Sequence, residues 1–177
     1  MVNNGNNSKA NGNGKDKLKF LFVSDIGCIG DLAYQVKNEG HKVRYYIHDK
    51  DEKDVSDGFL DKVDNWEDHK DWADIIVFDD INFGSSCDRL RKEGKTVLGG
   101  TSYTDKLELD RDFAQQEMKS VGLDILPSWD FSSFDDAIKF IKDNPGRYVI
   151  KPNGKAQNDK VLSFVGDTPI DMVIKLK

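Results

Sequence analysis

Short apolar runs bounded by turn residues recur along the first hundred residues, and segments of helical period lie between several of them. Residues 19–24 (K-F-L-F-V-S) have the length and bulk of a buried strand. The turn D-I-G-C-I-G-D follows, then Leu32, Ala33 and Val36 at helical spacing, with Gly40 placed as a stop. Residues 43–47 (V-R-Y-Y-I) read as the next strand, so strand, glycine turn, helix and strand form a right-handed βαβ unit. Residues 74–78 (D-I-I-V-F) predict a third strand, 85–93 a short helix ended by Gly94, and 96–98 a fourth strand. The pattern is that of an open, mostly parallel α/β sheet.

Beyond it the period changes. Residues 105–121 predict one longer helix with Leu107, Phe113, Met118 and Val121 facing inward and Gly122 ending it. Residues 127–131 predict a strand. Ser133, Phe134, Asp135 and Asp136 make a cap-like helix start that would bury Phe134, Ala137, Ile138 and Ile141. Asn144, Pro145 and Gly146 stop that helix, and residues 148–166 (Y-V-I-K-P-N-G-K-A-Q-N-D-K-V-L-S-F-V-G) read as a strand ending in lysine, a turn with a second lysine, and a return strand. The division expected is a tail at 1–17, an α/β domain at 18–103, a connecting helix at 104–122 and a helix-plus-hairpin segment at 123–177.

Composition narrows this picture. At 177 residues with 37% hydrophobic positions, the chain can build one domain, or one and the start of another. The Asn/Gly/Lys-rich tail has little to bury and no apolar stretch of a signal peptide, so it is expected to be disordered. The formal charge of −6 argues against a nucleic-acid binder. Between His48 and Asp74 eleven Asp/Glu stand against four Lys, which reads as an acidic solvated surface. No run is long enough to span a bilayer. Two cysteines, Cys28 and Cys87, give neither a disulfide framework nor zinc spacing, so reduced thiols and a cytoplasmic location are expected.

Candidate chemistry falls in two places. Ligands on such sheets sit at the carboxyl ends of the strands. There, Gly27 and Gly30 make either a tight structural turn or a substrate-phosphate cradle at a helix start, the full G-x-G-x-x-G fingerprint being absent. Asp79 and Asp80 end the third strand as either a solvated turn or a seat for a metal or a substrate amine. Cys28 has no base beside it in sequence, His41, His48 and His69 lack metal-ligand spacing, and Trp66, Trp72 and Trp129 read as packing residues. In the hairpin, Lys151 and Lys155 would present two ammonium groups to a polyphosphate, with Gly154 allowing loop movement and Gln157, Asn158 and Lys160 adding donors.

Two stretches, G-G-T-S-Y-T-D-K-L-E-L-D-R-D-F at 99–113 and Y-V-I-K-P-N-G-K-A-Q-N-D-K at 148–160, resemble the N-terminal half of ATP-grasp ligases, phosphoribosylamine–glycine ligase among them. The resemblance covers about 18–166 and implies a Rossmann-like pre-ATP-grasp domain followed by part of an α+β ATP-grasp domain. It implies ATP as cofactor, nucleotide and small-molecule substrates, and a carboxylate activated as an acyl phosphate for attack by an amine. By resemblance Lys151, Lys155, Gly154 and Gln157 would contact ATP, and Arg111 falls where relatives carry an ATP-contacting lysine. Gly27, Gly30 and Asp79, from their place at the strand ends, are the candidate substrate-binding residues. The family's Mg²⁺ ligands fall beyond Lys177, so the expectation is a fragment without turnover of its own. The competing reading is a non-enzymatic flavodoxin- or receiver-like module.

Overall fold

The computed structural model describes residues 17–152 and 163–177. Two compact units divide the chain, Met1–Gly100 and Thr101–Lys177.

The first unit is a four-stranded parallel sheet of β1 (Lys19–Ser24), β2 (Lys42–Ile47), β3 (Ile75–Phe78) and β4 (Val97–Leu98), in the order β2-β1-β3-β4. Helix α1 (Gly30–Asn38) links β1 to β2, and α2 (Gly84–Lys92) links β3 to β4. Gly40 and Gly94, both at positive φ, end these helices in the conformation that glycine adopts without penalty. Strand alternation assigns the core. Leu21 and Val23 of β1 pack with Ile76, Phe78, Trp66, Cys87 and Leu90 on the α2 face. Phe22 packs with Ala33, Val43, Tyr45, Ile47, Leu60 and Val77 on the α1 face. Leu32 remains half exposed on α1.

The acidic segment between β2 and β3 does more than face solvent. Tyr45 exchanges backbone hydrogen bonds with Asp61 (3.0 Å) and Val63 (2.9 Å), so the segment runs along the outer edge of β2 and shields an otherwise open strand. Leu60 enters the core on the α1 face and Trp66, in a short 3-10 turn (Trp66–His69), enters it on the other. The segment therefore wraps the sheet edge and buries an apolar anchor on each side. Its carboxylates then meet α2 and the turn after it: Glu67 pairs with Arg89 of the helix, and Asp71 with Lys95 beyond it at 2.6 Å.

The second unit holds α3 (Ser102–Leu109), α4 (Arg111–Ser120), α5 (Phe134–Asp143), the antiparallel pair β5 (Val149–Ile150) and β6 (Phe164–Val165), and α6 (Pro169–Lys175). The single helix expected at 105–121 is two. Asp110 takes an extended backbone (φ −118°, ψ 95°) and its carboxylate accepts from the Phe113 N–H at 3.0 Å, capping α4. The break resets the helical phase, so Ala114 is the buried position while Met118 and Val121 stand exposed. No strand forms at 127–131, because Trp129 and Phe131 lay their rings against Phe140 (centroids 5.0 and 5.3 Å) instead of pairing a backbone. Phe134 is 71% exposed in the first turn of α5, whose inward stripe is Ala137 and Ile141.

Where β6 meets α6 there is no spare room. A Cβ on Gly166 would lie 2.1 Å from Sδ and 2.7 Å from Cγ of Met172, itself fully buried. Gly166→Ala is therefore expected to destabilise the protein by about 1–3 kcal/mol, the usual range for overpacking. Urea denaturation followed by Trp fluorescence checks this, and an unchanged midpoint would show that Met172 moves aside freely.

Candidate functional site

The first cluster lies where β1 and β3 end side by side. This is the point at which strand order reverses, from β1-to-β2 on one side to β3-to-β4 on the other, and crevices in doubly wound sheets open there. Ser24 closes β1 and is completely buried. Its hydroxyl donates to Asp79 Oδ2 at 2.7 Å and accepts from the Gly27 N–H at 2.9 Å. The Ile29 N–H donates to the same Asp79 oxygen at 3.0 Å. Two strand ends and the turn into α1 are thus tied to one carboxylate.

Asp79 is exposed as a residue, yet its Oδ2 side is turned into the protein. Burial raises its carboxyl above the usual range, and the neighbouring Asp80 adds to the rise. The hydrogen bonds from Ser24 and from the backbone, Ile29 included, pull the other way. Beneath the turn lies Tyr45, whose Oη is buried with no hydrogen-bond partner among the described residues. Burial first, with Asp79 and Cys28 adding to it, pushes that phenol up to about 12. Ser24 opposes the shift by proximity, but its own proton is committed to Asp79.

Both glycines of the turn have structural tasks. Gly27 sits at φ +90°, and a Cβ there would approach Val55 Cγ1 to 2.9 Å. A Cβ on Gly30 would meet Ser56 Oγ at 2.4 Å and Tyr45 Oη at 3.5 Å. What these glycines admit is the protein's own 55–56 turn, and the Gly27 and Ile29 N–H groups are already in use. Asp80 accepts from the Ile81 N–H at 2.8 Å, a local turn bond. Among the described residues no three His, Cys, Asp or Glu cluster as a metal site.

The second cluster belongs to the other unit. Val149 pairs with Val165 and Ile150 with Phe164, so the hairpin exists and Lys151 follows β5 directly, exposed. Gly154, Lys155, Gln157, Asn158 and Lys160 lie outside the described residues. Arg111 opens α4, and its Nε is buried without a hydrogen-bond partner among the described residues. Arg111 and Lys151 share no hydrogen bond or ion pair. Gly27, Gly30 and Asp79 are brought together in the first unit. Ser24 and Tyr45 escaped the sequence reading, although a serine ending an apolar strand, and a tyrosine at an inward strand position, are the signals that would have found them.

The charge on Asp79 opposes folding at neutral pH. A carboxyl whose folded pKa is raised contributes stability fully below its unfolded value and loses it as pH rises through the folded one. Asp79→Asn keeps an acceptor for Ser24 and Ile29 and removes the buried charge. Its melting temperature should exceed the wild type's at pH 7, with the difference vanishing below the ordinary carboxylate range. Thermal melts from pH 3 to 8 would refute this if Asn were destabilising at neutral pH.

No family model matches the chain, and no curated protein sequence matches it significantly. Solved structures do. N5-carboxyaminoimidazole synthetase from Staphylococcus aureus superposes with a TM-score of 0.61 at 16% identity over 89% of this chain. The complex of that enzyme with ADP gives a TM-score of 0.59. N5-carboxyaminoimidazole ribonucleotide synthetase from Thermotoga maritima gives 0.57 at 13% identity over 84% of this chain. This chain covers 43% of the Staphylococcus and 40% of the Thermotoga protein, less than half of either. No helix among the described residues is long and apolar enough to cross a membrane. At these identities the likeness establishes a shared α/β fold.

Proposed function

We propose that the chain is the nucleotide-binding portion of an ATP-dependent carboxylate–amine ligase that works through an acyl phosphate. The observation that carries this reading is the fold shared, over 89% of the chain, with a synthetase solved in complex with ADP. The β5–β6 hairpin with Lys151 at its start agrees with it, since an ammonium on a strand end is a charge-assisted donor to phosphate. Arg111, whose Nε is buried without a hydrogen-bond partner among the described residues, is a second cation available to the nucleotide. The motif resemblance leans to phosphoribosylamine–glycine ligase and the fold to N5-carboxyaminoimidazole ribonucleotide synthetase. The reading common to both is a ligase of purine-precursor synthesis, with Gly27, Gly30 and Asp79 at a substrate.

In this mechanism the residues of the hairpin and the lysine-bearing loop hold the phosphates and keep water from the acyl phosphate. Mg²⁺, when bound, neutralises charge on the transferring phosphoryl group. Its ligands are assigned outside this chain, and no turnover is expected from residues 1–177 alone. A flavodoxin- or receiver-like module leaves the Thr101–Lys177 unit without a task.

ATP at about ten times its Kd should raise the melting temperature by about 3–6 °C, from the linkage relation and the size of the chain. Lys151→Met should remove most of that rise without lowering the melting temperature in the absence of nucleotide. An unchanged melting temperature at every ATP concentration, in wild type and variant alike, would overturn the nucleotide assignment for this chain.

A further inference from the structure

Four apolar side chains of the second unit share one solvated surface. Val149 of β5 and Val165 of β6 are register partners in the antiparallel pair, so both stand on the same face of the ladder. A shallow groove lined by Phe164, Val165, Asp167, Asp171, Ile174 and Lys175 joins that face to α6. Ile170 lies one turn before Ile174 on the helix. Val149, Val165, Ile170 and Ile174 are 55%, 61%, 70% and 66% exposed, while Met172, on the other side of α6, is fully buried. A two-stranded ladder with one wet apolar face is marginal unless something packs on it. Apolar residues scattered singly over a surface need no explanation, whereas a contiguous patch rimmed by charge marks an interaction surface.

The charges around the patch decide what fits it. Its carboxylates, Asp167 and Asp171, lie at the start of α6, and its ammonium, on Lys175, lies at the end. Thr168 fixes the Asp171 carboxylate in place, donating from its backbone N–H at 2.9 Å and its hydroxyl at 2.7 Å. The Lys175 ammonium lies 5.8 Å from the centre of the Phe164 ring, beside the groove. A partner of one charge sign would meet a like charge at one end of the patch. A second copy of the same helix, turned end for end, meets opposite charge at both ends. We infer that two copies of this chain associate about a twofold axis, with their α6 helices antiparallel and their β5–β6 faces alongside. Ile170 of each copy then packs on Ile174 of the other and Asp171 faces Lys175, each contact occurring twice as an isologous interface requires. The opposed helix dipoles favour the same orientation. A seven-residue helix and a short ladder make an interface at the small end of the specific range, so the dimer is a micromolar one. This inference does not depend on the nucleotide reading.

Sedimentation velocity of the full chain, from micromolar to submillimolar concentration, provides the test. The wild type should pass from monomer to dimer across that range. Ile170→Lys and Ile174→Glu, each placing a charge against an apolar partner, should raise the dissociation constant by about tenfold or more. Both positions are solvated, so the melting temperatures should stay near the wild type's. Mixed in equal amounts, the two variants should associate about tenfold or more tightly than either does alone, because the introduced lysine meets the introduced glutamate across the axis. Should either isoleucine variant not fold, Lys175→Glu carries the test, with an expected weakening of about two- to tenfold. A monomer at every concentration would overturn the inference and leave the face to a different polypeptide or to solvent. Association unchanged by the substitutions, or a mixture no tighter than its components, would overturn it equally.

Discussion

Two donors, the Ser24 hydroxyl and the Ile29 amide, end on one oxygen of Asp79, and the carboxyl end of the first unit's sheet is arranged around that convergence. A serine with no exposure, closing a strand of apolar residues, is tolerable only if its hydroxyl both donates and accepts. Here it donates to β3's carboxylate and accepts from the turn that opens α1. The same bonds that fix the strand ends hold the carboxylate in a partly desolvated position with Asp80 beside it. A carboxyl shifted by burial beside a second carboxylate is the kind of group that clusters at functional sites and also in structural networks.

Charge separates the two candidate sites. The first unit offers the carboxylates of Asp79 and Asp80 after β3. The second offers cations, with Lys151 after β5 and Arg111 at the head of α4. An acyl-phosphate ligase needs both kinds of surface, because its nucleotide is a polyanion and the attacking amine travels as a cation at neutral pH.

Most of the first unit was legible in the sequence because its strands are uniformly apolar and its helices end on glycine. The expected strand limits at 19–24, 43–47, 74–78 and 96–98 lie within one residue of those observed. Periodicity failed where a capping residue outweighed it. The run from Asp105 to Val121 has helical spacing throughout, but Asp110 gains more by capping α4 than by continuing α3. The aromatic stretch around Trp129 shows the complementary failure: strand-like composition with ring partners on a helix, which pattern cannot distinguish from partners on a sheet. Burial in the second unit was read too generously. Met118, Val121 and Phe134, read as inward, are exposed there, and α6 (Pro169–Lys175) was not foreseen at all.

The site was less legible than the fold, and the glycine turn shows why. A glycine marks a place where a backbone takes a positive φ or where something approaches closely, and sequence does not say what approaches. At Gly27 both reasons hold and at Gly30 the second does, and in each case the visitor is the loop after β2, through Val55 and Ser56. That loop comes from the acidic segment that also shields β2 and anchors Leu60 and Trp66. One insertion between two strands therefore closes the sheet edge, anchors an apolar side chain on each face and fills the space over both glycines. What the two glycines admit is therefore decided by the packing of that segment, which no reading of the turn's own residues could supply.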